Sequence, residues 1–120
     1  FFDSNLMSIK LAKERDEATV ARMVYRLTKG PATVFGLDAG SLAIGARADM
    51  VLINPKALDN WEPDQTRVLE HREIFDHKQM VNRPKGIVAS VFIKGVLAWA
   101  NGEPQEALGR DTLGQALRAA

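Results

Sequence analysis

The sequence contains no cysteine. That excludes a disulfide framework, a thiolate nucleophile and any cysteine-based metal site. It also suits a reducing compartment, so the expected location is cytoplasmic. Histidine is nearly as scarce, with only His71 and His77. Net charge is almost absent too: the formal value of +1 gives no pull toward nucleic acid or an anionic membrane surface. No apolar run approaches the ~20 residues of a transmembrane helix. Phe1-Phe2-Asp3 lacks the basic and long apolar regions of a signal peptide. An initiating methionine is missing as well, and this predicts a piece of a longer polypeptide or a processed product.

What is present fits one ordinary globular domain: 120 residues, 46% apolar and 26% charged. The chain is organised around residues 40–55. Gly36, Gly40 and Gly45 mark tight turns, because glycine takes positive φ without penalty. Met50-Val51-Leu52-Ile53 follows as a short apolar run, bounded by Asp49 and by Asn54-Pro55, and reads as a buried strand.

Upstream of this stretch the pattern is helical. Residues 5–15 suit a helix of about three turns with a blurred apolar side. Asp16 is a fitting N-cap for a second helix. There Val20, Met23, Val24 and Leu27 recur at helical spacing, with Arg22 and Arg26 opposite. Lys29 and Gly30 read as its end, and Pro31 opens a further turn through Phe35 that Gly36 closes. Met23 and Phe35 read as core rather than as cofactor contacts.

Downstream, residues 54–86 read as a long loop pinned by Trp61 and Phe75, with short strands at Val68-Leu69 and Ile74-Phe75. Arg83-Pro84-Lys85-Gly86 is a turn. Residues 87–93 form the strongest strand in the chain. Lys94-Gly95 reads as a hairpin turn with positive φ at the glycine, Val96 to Ala100 as the return strand, and Asn101-Gly102 as another turn. The tail from Glu106 to Ala120 has weak helical spacing at Leu113 and Leu117 and takes no assignment. The fold class is therefore α+β, with N-terminal helices followed by a small β-sheet.

Catalytic chemistry is hard to place. His71, Glu73, Asp76 and His77 form the only cluster of metal-ligating residue types. It falls in a loop, lacks the i, i+4 histidine pairing of a helical metal motif, and is flanked by ion-pair partners. Ser4, Ser8, Ser41 and Ser90 lack a nucleophile-elbow context. The glycines at 36, 40 and 45 are not followed by Gly-Lys-Ser/Thr, so they do not make a phosphate loop. Asp38 and Asp49 read as turn residues. No catalytic, cofactor-binding or metal-ligating residue is assigned. A free-standing small β-domain for protein interaction or oligomerisation is one reading that fits.

A second reading comes from a resemblance. Leu27-Thr28-x-x-Pro31-Ala32-x-x-x-Gly36-Leu37, then Gly40-x-Leu42-x-x-Gly45-x-x-Ala48-Asp49-Met50-Val51-Leu52, resembles the C-terminal signature of the metal-dependent amidohydrolase superfamily. Val81-Asn82-Arg83-Pro84-Lys85-Gly86-Ile87, then Val91-x-Ile93-x-Gly95-x-x-x-Trp99-x-x-Gly102, is similar to the D-aminoacylase (N-acyl-D-amino-acid deacylase) branch. Together the resemblance covers about residues 16–111.

The resemblance implies a (β/α)8 barrel that carries the metals, plus a small β-sandwich built from both ends of the chain. Residues 1–37 would be the last barrel helices. Residues 38–120 would be the C-terminal half of the sandwich. The parent enzyme would use zinc or another divalent metal to hydrolyse a non-peptide C–N amide bond. The family's ligands are a His-x-His pair, further histidines, a bridging carboxylated lysine or equivalent, and a late aspartate. None of these motifs occurs here, and Asp3 lacks the setting of the late aspartate. This chain is then expected to hold no metal and to be inactive alone. Its expected partners are the remainder of the parent chain and a second copy in a homodimer, with no nucleic acid or membrane.

Overall fold

The computed structural model describes residues 3–119. Its architecture is α+β, with three helices preceding a small antiparallel sheet. None of the helices among the described residues is long and apolar enough to cross a membrane.

Helix α1 spans Asp3–Lys13, α2 spans Glu17–Leu27 and α3 spans Lys29–Val34. Asp16 caps α2 as its residue type requires: Oδ1 accepts from Thr19 N at 2.6 Å. That hydrogen bond is the main reason the Asp16 carboxyl titrates below its ordinary value. Lys29 and Gly30 do not end α2. The break falls at Thr28, whose φ of −129° and ψ of −90° turn the backbone away, and Gly30 lies inside α3. The Val20, Met23, Val24 and Leu27 face is only half covered, and no residue of α2 is buried.

Strand β1 (Met50–Ile53) pairs antiparallel with β4 (Val88–Ile93), which pairs with β5 (Val96–Ala100), which pairs with the two-residue β6 (Glu103–Pro104). β1 therefore lies at one edge of the sheet. The expectation that it is buried fails, since Val51 and Leu52 are 57% and 48% exposed. Adjacent strand residues face opposite sides, so both faces of β1 present an apolar side chain to water. Two-residue turns link the later strands. Lys94 and Gly95 have φ of 54° and 81°, and Asn101 and Gly102 have φ of 56° and 82°. Positive φ at both positions is the type I′ geometry that matches strand twist.

Residues 54–86 are not a loop. Asn54 Oδ1 accepts from Lys56 N and Ala57 N, both at 3.1 Å, and Pro55 supplies the first turn of helix α4 (Pro55–Asp59). Helix α5 (Pro63–Thr66) leads into a separate hairpin of β2 (Arg67–Arg72) and β3 (His77–Asn82). Ile74-Phe75 is not a strand but part of the 3-10 turn at its tip, where Asp76 takes φ of 47°. Phe75 is 59% exposed, with its ring against His77, whereas Trp61 is 5% exposed.

Trp61 packs with Leu58 and Ile87 in a core against Leu6, Met7 and Ile9 of α1 and Ile53 of β1. Its Nε1 donates to Thr66 Oγ1 at 2.8 Å, and Thr66 Oγ1 donates to Asn82 Oδ1 at 2.6 Å. The hairpin base is thereby tied to the core. Lys10 Nζ donates to the carbonyls of Leu58 and Asp59 at 3.3 and 2.6 Å, and Lys13 Nζ meets Asp59 Oδ2 at 2.5 Å. The Lys10 ammonium thus satisfies carbonyls at the C-terminal end of α4, and Lys13 pairs with the Asp59 carboxylate there. After β6 the tail is irregular, although Leu113 is buried.

Candidate functional site

The four residues of the histidine cluster do not converge. β2 and β3 are in register with His71 opposite Lys78 and Arg72 opposite His77. Cross-strand partners share a face and neighbours along a strand alternate, so the two imidazoles lie on opposite faces of the hairpin. His71 Nε2 is 3.6 Å from Asp76 Oδ1, while His77 Nδ1 is 3.2 Å from its neighbour Phe75 O. All four residues are exposed. No three histidine, aspartate or glutamate residues among the described ones can hold a common ion. The donor set present does not fit a divalent metal, which needs three or four convergent ligands.

The serines are likewise dispersed. Ser41 Oγ accepts from Ala43 N at 3.2 Å within a local turn. Ser90 lies on β4 opposite Leu52 and Ala100, and Ser4 and Ser8 lie in α1. Asp3 begins α1 at the backbone level.

One constellation does form around Asp49. Its Oδ1 accepts from Lys94 N at 2.8 Å, and its Oδ2 accepts from Arg47 Nε. The adjacent Ala48 carbonyl accepts from Gly95 N at 2.8 Å. Ala48 and Asp49 therefore grip both residues of the β4–β5 turn from a segment 45 positions away. The hydrogen bond from Lys94 N is the largest reason that the Asp49 carboxyl titrates below its usual range, with Arg47 adding to it. Asp49 reads as a turn residue in the sequence, and it is in fact a clamp between two turns. The signal that finds this is only spatial.

Beside the clamp lies an open cleft of about 250 Å³ lined by Asp38, Arg47, Lys94, Leu117 and Arg118. One carboxylate faces three cations there, so the cleft carries a net positive charge. The clamp joins residues 48–49 to the β4–β5 turn.

Its contribution has a sign that follows from the lowered titration. A carboxyl that binds its proton less readily folded than unfolded stabilises the fold above the ordinary Asp value, about 3.9. That stability is lost as pH falls through the folded value. Asp49→Ala should cost about 1 kcal/mol at neutral pH, below the ~1.5–3 kcal/mol of a buried charged hydrogen bond because the side chain is exposed. Thermal melts should show parent and variant converging as pH falls below the ordinary Asp range. A constant gap across that range would show that the carboxylate charge is not what holds the turn.

Comparison with known proteins gives an independent finding. Residues 3–98 match the amidohydrolase family. Over 112 residues the chain is 31% identical to an uncharacterised protein of Mycobacterium tuberculosis, covering 86% of this chain and 18% of that protein. It is 45% identical over 62 residues to a dihydroorotase of Anaeromyxobacter dehalogenans, covering 51% of this chain and 14% of the enzyme. A dihydroorotase of a Geobacillus species is 30% identical over 99 residues, covering 74% of this chain and 20% of the enzyme. The chain thus spans about a fifth or less of the curated relatives it matches. No solved structure matches it.

Proposed function

The chain belongs to the amidohydrolase family, and from that premise we propose that it is the C-terminal structural segment of a longer, metal-dependent enzyme that hydrolyses a C–N amide bond. In this reading residues 1–37 end the catalytic barrel and residues 38–120 complete a β-sandwich. Catalysis and metal binding then reside in the remainder of the parent chain. The observation that carries the proposal is β1. Among the described residues it is an edge strand with no pairing partner on its outer side, and apolar residues are exposed on both its faces. Such a strand is incomplete unless further strands cover it.

The substrate class proposed is an N-acyl-D-amino acid. Residues 81–87 and 91–102 support it, through their similarity to the D-aminoacylase branch. The relatives named dihydroorotase favour a second reading, in which the amide bond cleaved is the one those enzymes act on. In isolation the uncovered strand and the α2 face would bring two copies of the chain together.

Reading the coding sequence upstream of Phe1 tests the parentage. A continuous frame carrying His-x-His, at least a barrel's length of ~250 residues away, is expected. A stop codon immediately upstream would leave the free-standing β-domain instead. Expression of that longer frame, with metal analysis and parallel assays on N-acyl-D-amino acids and on the dihydroorotase reaction, separates the two substrate readings.

A further inference from the structure

We propose that Asn101 is a site of spontaneous deamidation, and that its reaction works as a built-in ageing point at the corner where the tail leaves the sheet. Of the five asparagines, it alone precedes a glycine. The next residue matters because its backbone nitrogen is the nucleophile, and glycine offers no Cβ to hinder the attack.

The other asparagines are hindered for separate reasons. Asn54 precedes Pro55, which has no N–H to lose. Asn82 is held in place, with Nδ2 donating to Pro63 O at 3.0 Å and Oδ1 accepting from Thr66. Asn60 precedes the buried Trp61. Asn5 lies within α1, where the backbone is fixed.

Asn101 and Gly102 are both exposed, so water reaches the site. Ala100 pairs with Glu103, which leaves Asn101 and Gly102 as the two unpaired residues of the turn. Asn101 sits in the left-handed region at φ 56°, and ring closure requires the backbone to leave that conformation. The strand that must yield is β6, only two residues long and exposed at both. Openings of such short exposed elements are among the least costly in a fold.

The step balances without an external reagent other than water. The Gly102 nitrogen, losing its proton, bonds to Asn101 Cγ. The Cγ–Nδ2 bond breaks and ammonia leaves with that proton, giving a succinimide. Water then opens either ring carbonyl, yielding aspartate or isoaspartate. Isoaspartate adds one backbone carbon to a turn that has room for two residues, and both products place a new carboxylate beside Glu103. Gln105 follows at once, with its N donating to Ala98 O at 2.9 Å and its Nε2 reaching the Ala100 and Glu103 carbonyls, each at 3.4 Å. The tail is therefore anchored through the corner that the reaction distorts.

The test is incubation of the full chain at mildly alkaline pH, followed by peptide mapping with mass spectrometry. The expected result is the mass gain of exchanging NH2 for OH, several-fold faster in the peptide holding Asn101 than in those holding Asn5, Asn60 or Asn82. A pair of chromatographically resolved products of equal mass should accompany it. Asn101→Gly keeps the positive φ and removes the carboxamide, so its acidic charge variants should vanish while its melting temperature holds. Deamidation at Asn101 no faster than at the other asparagines would overturn the proposal. So would acidic variants that persist in Asn101→Gly.

Discussion

Trp61→Ala should lower stability by about 3–5 kcal/mol, the usual cost of removing a large buried aromatic side chain. Trp61, Leu58 and Ile87 are the buried cluster on which Leu6, Met7 and Ile9 of α1 converge with Ile53 of β1. Truncation leaves a void in the cluster where the helical segment and the sheet share a core. It also strips Thr66 Oγ1 of its indole donor. A domain of this size holds about 5–15 kcal/mol in total, so the loss is a large share of it. Trp61→Phe keeps most of the ring volume and loses the hydrogen bond, and should cost nearer ~1 kcal/mol. Urea midpoints of the two variants check the ordering. A Trp61→Ala midpoint within ~0.5 kcal/mol of the parent would show that α1 does not depend on this core.

The second large effect is expected at Gly40. Its φ is +74°, and a Cβ there would stand 2.7 Å from both Lys29 N and Thr28 C. The contacts are backbone atoms at the α2–α3 junction, so no side chain can move aside. Gly40→Ala should combine ~1–3 kcal/mol of left-handed strain with ~1–3 kcal/mol of overpacking. Gly45 is the internal control: its φ is +86°, yet a Cβ would meet nothing within 4 Å. Gly45→Ala should show the strain alone. Thermal melts of the pair decide it, and equal losses would mean that the close approach of residue 40 to α3 does not persist in solution.

These two residues also mark how far the sequence could be read. Gly40 was legible as a turn because positive φ is a local demand of the backbone. Its closeness to Thr28 was not, because nothing local records it. The strands at 50–53 and 88–100 were legible through β-branched runs ended by Asn-Pro, Lys-Gly and Asn-Gly. Asp16 was legible as a cap. Residues 54–86 misled for physical reasons. Helices of five and four residues are too short to show a period. The β2–β3 hairpin turns through Asp76 in the left-handed region, where a glycine would have announced it. Ile74 and Phe75 are β-formers by type, but at the tip of a tight 3-10 turn they have no strand to pair with.

The candidate site follows the same division. Residue types alone raised His71 and His77, and the register of the hairpin separates them. Asp49 is legible as a turn and strand-boundary residue and as part of the signature, but its partner Lys94 lies 45 positions away in the β4–β5 turn. The signature around residues 27–52 was visible because it is carried by residues near one another in sequence, and the match over residues 3–98 agrees with it.

The two margins of the four-stranded sheet are unlike. On one side β1 offers four apolar residues with no charge or proline among them. On the other, β6 is two residues long and one of them is Pro104, which has no N–H to give. Of the two margins of this sheet, β1 is therefore the more open to addition of another strand. Two sheets joined β1 to β1 would use up the more receptive edge of each and leave outward the flank that carries Pro104. That asymmetry favours closure at a pair over continued growth.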